Sequence, residues 1–163
     1  AAQDSGISQE LFERADERPS SSFLYTLSIG AAPAFASYDD YLTDDKLFVF
    51  QSNTIRELAK QGPCVFIGRC ADYVLRQQPG MLSVFIHAPL EQRVLRVARL
   101  YNIDEDKARA RIRKTDKTRA NYYNYYADGD WGRADRYDIA LNTGKLPIPI
   151  AAQLLADAAK LVK

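Results

Sequence analysis

Histidine is nearly missing from this chain: His87 is the only one in 163 residues. A histidine acting as a general base needs an orienting partner, so a lone one directly after an apolar run reads as a surface or capping residue. Cysteine is almost as scarce. Cys64 and Cys70 are the two present, and their spacing fits neither a zinc pair nor a Cys-x-x-Cys redox motif, so both read as reduced thiols of a cytoplasmic protein. No cluster of His, Cys, Asp and Glu has metal-ligand spacing. An excess of one charge is also lacking: 22 Lys and Arg face 21 Asp and Glu, a net +1. Nothing global therefore points to nucleic acid, a membrane or an acidic partner. The apolar runs are too short to span a bilayer, and Ala1-Ala2-Gln3-Asp4-Ser5 has neither the basic stretch nor the apolar core of a signal peptide. Internal repeats and low-complexity linkers are absent.

What is present fits one domain, residues 1–163, large enough to bury a core. Its organising stretch is Cys64-Val65-Phe66-Ile67-Gly68-Arg69-Cys70-Ala71-Asp72-Tyr73. Val65, Phe66 and Ile67 form a run without polar alternation, as expected of a strand buried on both faces in a parallel sheet. Gly68 lets the backbone turn at the strand's C-terminal end, where ligands of open α/β sheets bind. Arg69 and Asp72 emerge there. The arginine fork suits a phosphate, and the aspartate can only accept, from hydroxyls or amino groups. A surface ion pair is the plainer reading of the same arginine.

Along the chain, Ser8 is a candidate N-cap for a helix through Leu11, Phe12 and Ala15, closed near Pro19 and Ser20–Ser22. Phe23–Leu27 is a short apolar segment, Gly30–Pro33 and Tyr38–Tyr41 read as a surface excursion of poor periodicity, and the region as a whole reads as mixed helix and loop. Asp39-Asp40 and Asp44-Asp45 read as loop and helix-start charges. A helix is expected over Asp45–Gln61, stopped by Gly62-Pro63. The strand Cys64–Ile67 follows, then a short helix Tyr73–Arg76, a second strand Met81–Ile86, and a helix Leu90–Tyr101 opened by Pro89. Another helix begins at Asp104-Glu105-Asp106 and runs to Tyr123 or Tyr126. Asp128–Gly132 is a break, Tyr137–Leu141 a third strand, and Pro149–Leu161 a final helix. This α/β alternation implies a parallel sheet flanked by helices.

Positive charge is concentrated locally. Arg93, Arg96, Arg99, Lys107, Arg109, Arg111, Arg113, Lys114, Lys117 and Arg119 fall within one helical hairpin. On a helix Asp116 follows Arg113 by three and Arg119 follows Asp116 by three, so the groups can converge on anionic oxygens. A solvated helix laced with ion pairs is the bland alternative. A stacking surface for single-stranded nucleic acid, with Tyr122, Tyr123, Tyr125 and Tyr126, is another, although tyrosines at a helix end more often pack against their domain.

The run Cys64–Leu75, the run Arg111-Ile112-Arg113-Lys114-Thr115-Asp116-Lys117-Thr118-Arg119-Ala120-Asn121-Tyr122-Tyr123 and the ending Tyr137–Leu146 together resemble the cytidylate-kinase-like family of P-loop nucleoside monophosphate kinases. Phe85-Ile86-His87-Ala88-Pro89 and Glu91-x-Arg93 fit the strand and helix that precede that family's lid. The resemblance implies an enzyme moving a phosphoryl group from ATP, with Mg2+, to CMP, dCMP or a similar small nucleotide. No membrane or nucleic-acid partner is implied. Arg69 and Asp72 would lie at the acceptor, with Arg56 approaching it. Arg113, Asp116 and Arg119 would be catalytic residues of a helical lid spanning 103–133, with Asp116 orienting the two arginines and Arg109 or Arg111 as a further clamp. Cytidylate kinases carry Gly-Arg-Asp where this chain has Gly-Arg-Cys-Ala-Asp, which displaces the aspartate by two positions.

The family's donor loop, Gly-x-x-x-x-Gly-Lys-Ser/Thr or a serine-glycine variant, cradles phosphates with backbone amides. No stretch of this sequence matches it: Gly30-Ala31-Ala32-Pro33 lacks the second glycine and the lysine, and Gly144-Lys145 lacks the upstream glycine. The expectation is an α/β fold whose first βα unit is absent from these residues. A nucleotide-binding or regulatory module without phosphoryl transfer is the alternative this raises. The nucleic-acid reading has a direct check: a short oligonucleotide titrated at low salt is expected not to bind. Affinity that falls steeply with salt and is lost in Tyr125→Ala would reinstate it.

Overall fold

The computed structural model describes residues 38–162, with side chains from residue 45 onward. The expected helix at Ser8, the segment Phe23–Leu27 and the serine turn lie outside the described residues. The chain divides into two compact units. One is made of residues up to Leu75 together with Asn121–Asp128, and the other of Arg76–Ala120 and Gly129–Lys163.

In the first unit, helix α1 covers Tyr38–Lys60. Residues 38–41, in the region expected to mix helix and loop, are helical. The acidic residues before position 46 dilute the apolar periodicity, yet 38–60 contains neither glycine nor proline to break the helix. Leu47 and Ile55 are buried, and Gly62, at φ 145°, ends the run before Pro63. Helix α2 is one turn, Ala71–Val74, two residues earlier than expected, and it packs on α1. Ala71, Val74, Leu75, Tyr123 and Ala127 are buried in this unit.

The expected strand Cys64–Ile67 does not form. Residues 63–67 carry no regular structure, and Val65 and Ile67 are each 91% exposed. Apolar composition alone cannot make a strand; a ladder partner must satisfy its backbone groups. Among the described residues none pairs with this run.

In the second unit, β1 (Val84–His87) and β2 (Ile139–Asn142) pair in parallel, with Val84 opposite Ile139 and His87 opposite Asn142. Parallel pairing is what the α/β alternation requires, and among the described residues the sheet has two strands. Phe85 is the packing centre beside it. Its ring stacks on Tyr137 at 5.0 Å and meets Trp131 edge-on at 5.6 Å. Gly132, at φ 83°, lies against that ring.

Helix α3, Leu90–Tyr101, and helix α4, Glu105–Tyr126, follow the expected boundaries. Leu90, Val94, Val97 and Ala98 recur at helical spacing on α3. Val94 and Ala108 are fully buried and Ile112 nearly so, with Ile103 closing the cluster. Asn102 ends α3 in the left-handed conformation, at φ 49°, and the Asp104 carboxylate accepts from the Lys107 amide at 2.7 Å at the start of α4. Helix α5, Ile148–Leu161, has Pro149 in its first turn and exposes Ile150, Leu154 and Leu161.

The entry to both strands is locked by one pair of side chains. Asp138 Oδ2 accepts from the Ser83 amide at 2.8 Å and from the Ser83 hydroxyl at 2.6 Å, while Ser83 Oγ accepts from the Asp138 amide at 2.9 Å. These bonds hold the Asp138 carboxyl below its ordinary range. A depressed carboxyl stabilises the fold above its unfolded pKa of about 3.9, and that contribution is lost as pH falls through its lower folded value. Ser83→Ala is expected to cost about 1 kcal/mol near neutrality and to flatten the loss of stability below about pH 4, as read from urea unfolding at several pH values.

Candidate functional site

In the first unit, the candidate acceptor residues occupy a backbone turn of unusual hand. Gly68, Arg69 and Cys70 have φ of 69°, 56° and 52°, three successive left-handed residues of which two are not glycine. Each non-glycine residue there costs roughly 1–2 kcal/mol, so surrounding contacts must enforce the turn. The Ala71 amide donates to the Gly68 carbonyl at 3.1 Å, and the Val74 amide to the Cys70 carbonyl at 2.8 Å. Cys70 is 2% exposed. Burial, with the Asp72 carboxylate adding to it, pushes its thiol up to about 12, so Cys70 acts as a small apolar anchor and not as a nucleophile. Cys70 and Ala71, both buried, separate half-buried Arg69 from half-buried Asp72 on α2.

The C-terminal end of α4 meets this turn and α1 with three tyrosines. The Tyr123 hydroxyl donates to Asp72 Oδ2 at 2.7 Å, the Tyr122 hydroxyl to Gln51 Oε1 at 3.2 Å, and the Tyr126 hydroxyl to Asp45 Oδ1 at 3.1 Å. The Tyr126 ring stacks on Phe48 at 3.9 Å, and the Arg69 guanidinium lies over the Tyr122 ring at 6.0 Å. These tyrosines therefore pack within their own unit. Arg56 is exposed on α1, and its guanidinium donates to Asn53 Oδ1 at 3.2 Å, one turn earlier.

In the second unit, the basic hairpin separates its cations by partner. Asp116 accepts from Arg93 of α3 at 2.7 Å, and the Glu91 carboxylate accepts both terminal amines of Arg109, at 2.8 and 2.6 Å. That fork holds the Glu91 carboxyl below its usual range and raises Arg109. Arg111 lies over the Tyr101 ring at 4.0 Å. Arg109 and Arg111, the two further clamps the sequence suggested, are thus engaged by α3. Arg113 and Arg119 are exposed and have no ion pair among the described residues. The carboxylate expected to orient them, Asp116, instead ties α4 to Arg93.

His87 is exposed at the end of β1, stacked on Phe85 at 6.2 Å, and Trp131 packs on the same ring. Among the described residues no group of three His, Cys, Asp or Glu side chains could hold a metal ion, so none is assigned to magnesium. Sequence reasoning missed Arg93 as the partner of Asp116, and Tyr123 as the partner of Asp72. For Tyr123 a signal exists: it follows Ile112 by eleven residues, three turns, and so shares the packed stripe of α4. No local pattern marks Arg93, because its partner is on another helix.

The model of the cytidylate kinase-like family matches residues 1–145. Curated cytidylate kinases from Methanopyrus kandleri and Methanocaldococcus jannaschii are 32% and 29% identical, over 55% and 63% of this chain and 51% and 58% of their own. The chain thus spans little more than half the length of these relatives. A crystal structure of an uncharacterized protein from Eubacterium ventriosum aligns with a TM-score of 0.68 at 31% identity, covering 72% of this chain and 74% of that one.

The left-handed turn makes a specific prediction at position 69. Arg69→Gly and Arg69→Ala remove the same guanidinium, yet the glycine variant is expected to be the more stable by about 1 kcal/mol in urea unfolding. At an ordinary position alanine would be at least as stable.

Proposed function

Because the chain belongs to the cytidylate kinase-like family, we propose that it binds CMP or dCMP and serves ATP-dependent phosphoryl transfer to that nucleotide. The observation that carries this reading is the division among the arginines. Arg93, Arg109 and Arg111 are engaged by neighbouring side chains, whereas Arg113 and Arg119 lie nearly two turns apart on one helix without ion pairs among the described residues. Exposed, uncommitted arginines are available to an anionic ligand, and the engaged ones hold the helix that presents them.

In this reading Arg69 holds the acceptor phosphate through its planar fork, and Asp72 accepts a hydrogen bond from a sugar hydroxyl or from the exocyclic amine of the base. An oxygen of the acceptor phosphate attacks the terminal phosphorus of ATP as the bond to the bridging oxygen of ADP breaks. Arg113 and Arg119 stabilise charge spread over the transferred group. The protein contributes position and electrostatic stabilisation and no nucleophile of its own. Donor-phosphate contacts are assigned to no residue of this chain, since no stretch of its sequence has the glycine-rich pattern with lysine. Magnesium would be carried mainly by phosphates and water, as is usual for this ion. The lid of this proposal is the segment 103–133.

Calorimetric titration of CMP and an ATP-coupled assay test the assignment together. Arg69→Ala is expected to weaken CMP binding by about tenfold or more, as loss of a charged hydrogen bond does. Arg113→Ala and Arg119→Ala are expected to leave CMP affinity within about threefold and to lower kcat on the order of a hundredfold. CMP binding without turnover would favour a nucleotide-binding module, and no CMP binding at all would overturn the proposal.

A further inference from the structure

We infer that Tyr123 is a positioning residue for acceptor recognition: its hydroxyl fixes the Asp72 carboxylate so that Oδ1 is presented to the nucleotide's hydroxyl or amine. This rests on the proposed function, in which Asp72 reads the acceptor. Three observations carry it. Tyr123 is 9% exposed, and its hydroxyl meets Asp72 Oδ2 at 2.7 Å, the length of a charge-assisted bond. Asp72 itself is half-buried in the first turn of α2, on a helix of four residues too short to hold its side chains rigidly by itself. The turn leading into α2 contains two left-handed non-glycine residues, a conformation that must be held from outside. With Oδ2 occupied by a buried phenol, the carboxylate keeps one rotamer and one oxygen for a ligand. An unpinned aspartate would lose rotamer freedom on binding, which weakens affinity.

The neighbouring tyrosine bonds separate this role from simple packing. Tyr126 makes a hydroxyl bond of the same kind to Asp45 on α1, remote in sequence from Asp72. Removal of either hydroxyl keeps the ring and deletes its bond to a carboxylate, so the two variants are matched in chemistry and differ in the carboxylate they release.

The test is a double-mutant cycle on the full chain, read by calorimetric titration of CMP with Tyr123→Phe, Asp72→Asn and the double variant, and with Tyr126→Phe as the matched control. Tyr123→Phe is expected to raise Kd about tenfold, the scale of a hydrogen bond to a charged group. In the Asp72→Asn background the same change is expected to have an effect under about twofold, because there is no carboxylate left to position. Tyr126→Phe is expected to leave Kd unchanged even where it lowers Tm. Equal weakening by Tyr123→Phe with and without Asp72 would overturn the inference and leave the acceptor role of Asp72 standing, as would weakening by both tyrosine variants in step with their loss of Tm. Asp72→Asn without effect on Kd, or no CMP binding by the unsubstituted chain, would overturn the inference together with the reading beneath it.

Discussion

Twenty-two residues without glycine or proline, Glu105–Tyr126, form one uninterrupted helix, and it contributes side chains to each of the two units. A helix fixes spacing at about 1.5 Å per residue. Along that ruler, within the second unit, lie the buried Ala108 and Ile112, the paired Arg109 and Asp116, and the exposed Arg113 and Arg119. A break before Ala120 would put those groups out of register with one another. Its composition guards against that: acids at the start complement the helix dipole, and the interior holds good helix formers between the charges.

The two ion pairs between α3 and α4 have a different weight from the charges around them. Exposed pairs such as Lys60–Glu57 and Lys160–Asp157 join residues one turn apart on a single helix and contribute little to stability. Arg93–Asp116 and Arg109–Glu91 join two helices over a cluster containing fully buried Val94 and Ala108. They set the rotation of α4 about its own axis. That rotation decides which arginines remain outside the packing and thus which remain able to meet a ligand.

Legibility in the sequence follows the range of the determining interaction. Helices α3 and α4 are readable to within a residue, since periodicity, the proline before Leu90 and the acids at 104–106 are all local. The parallel relation of β1 and β2 is readable from alternation. Cys64–Ile67 misleads because strand formation depends on a partner far away in sequence, and Val65 and Ile67 carry strand propensity with or without one. At Tyr38–Tyr41, within a region read as mixed helix and loop, the backbone continues the helix while acidic residues hide its period. In the candidate site, residue types and their order can be read from motif and resemblance. The partner of each charge cannot. Three-residue spacing points Asp116 at its own helix's arginines, whereas Arg93 reaches it from α3. Tyr123 packs within its unit, as a tyrosine at a helix end does, but the carboxylate at the end of its hydroxyl is fixed by folding and not by spacing.

The turn that places Arg69 also sorts the chain's two thiols. Cys70 is enclosed and its proton is held to about pH 12, while Cys64, six residues earlier, is exposed beside Val65. A maleimide fluorophore would therefore attach at one address without any cysteine being added or removed. Within these residues one exposed thiol offers an attachment point five residues from Arg69.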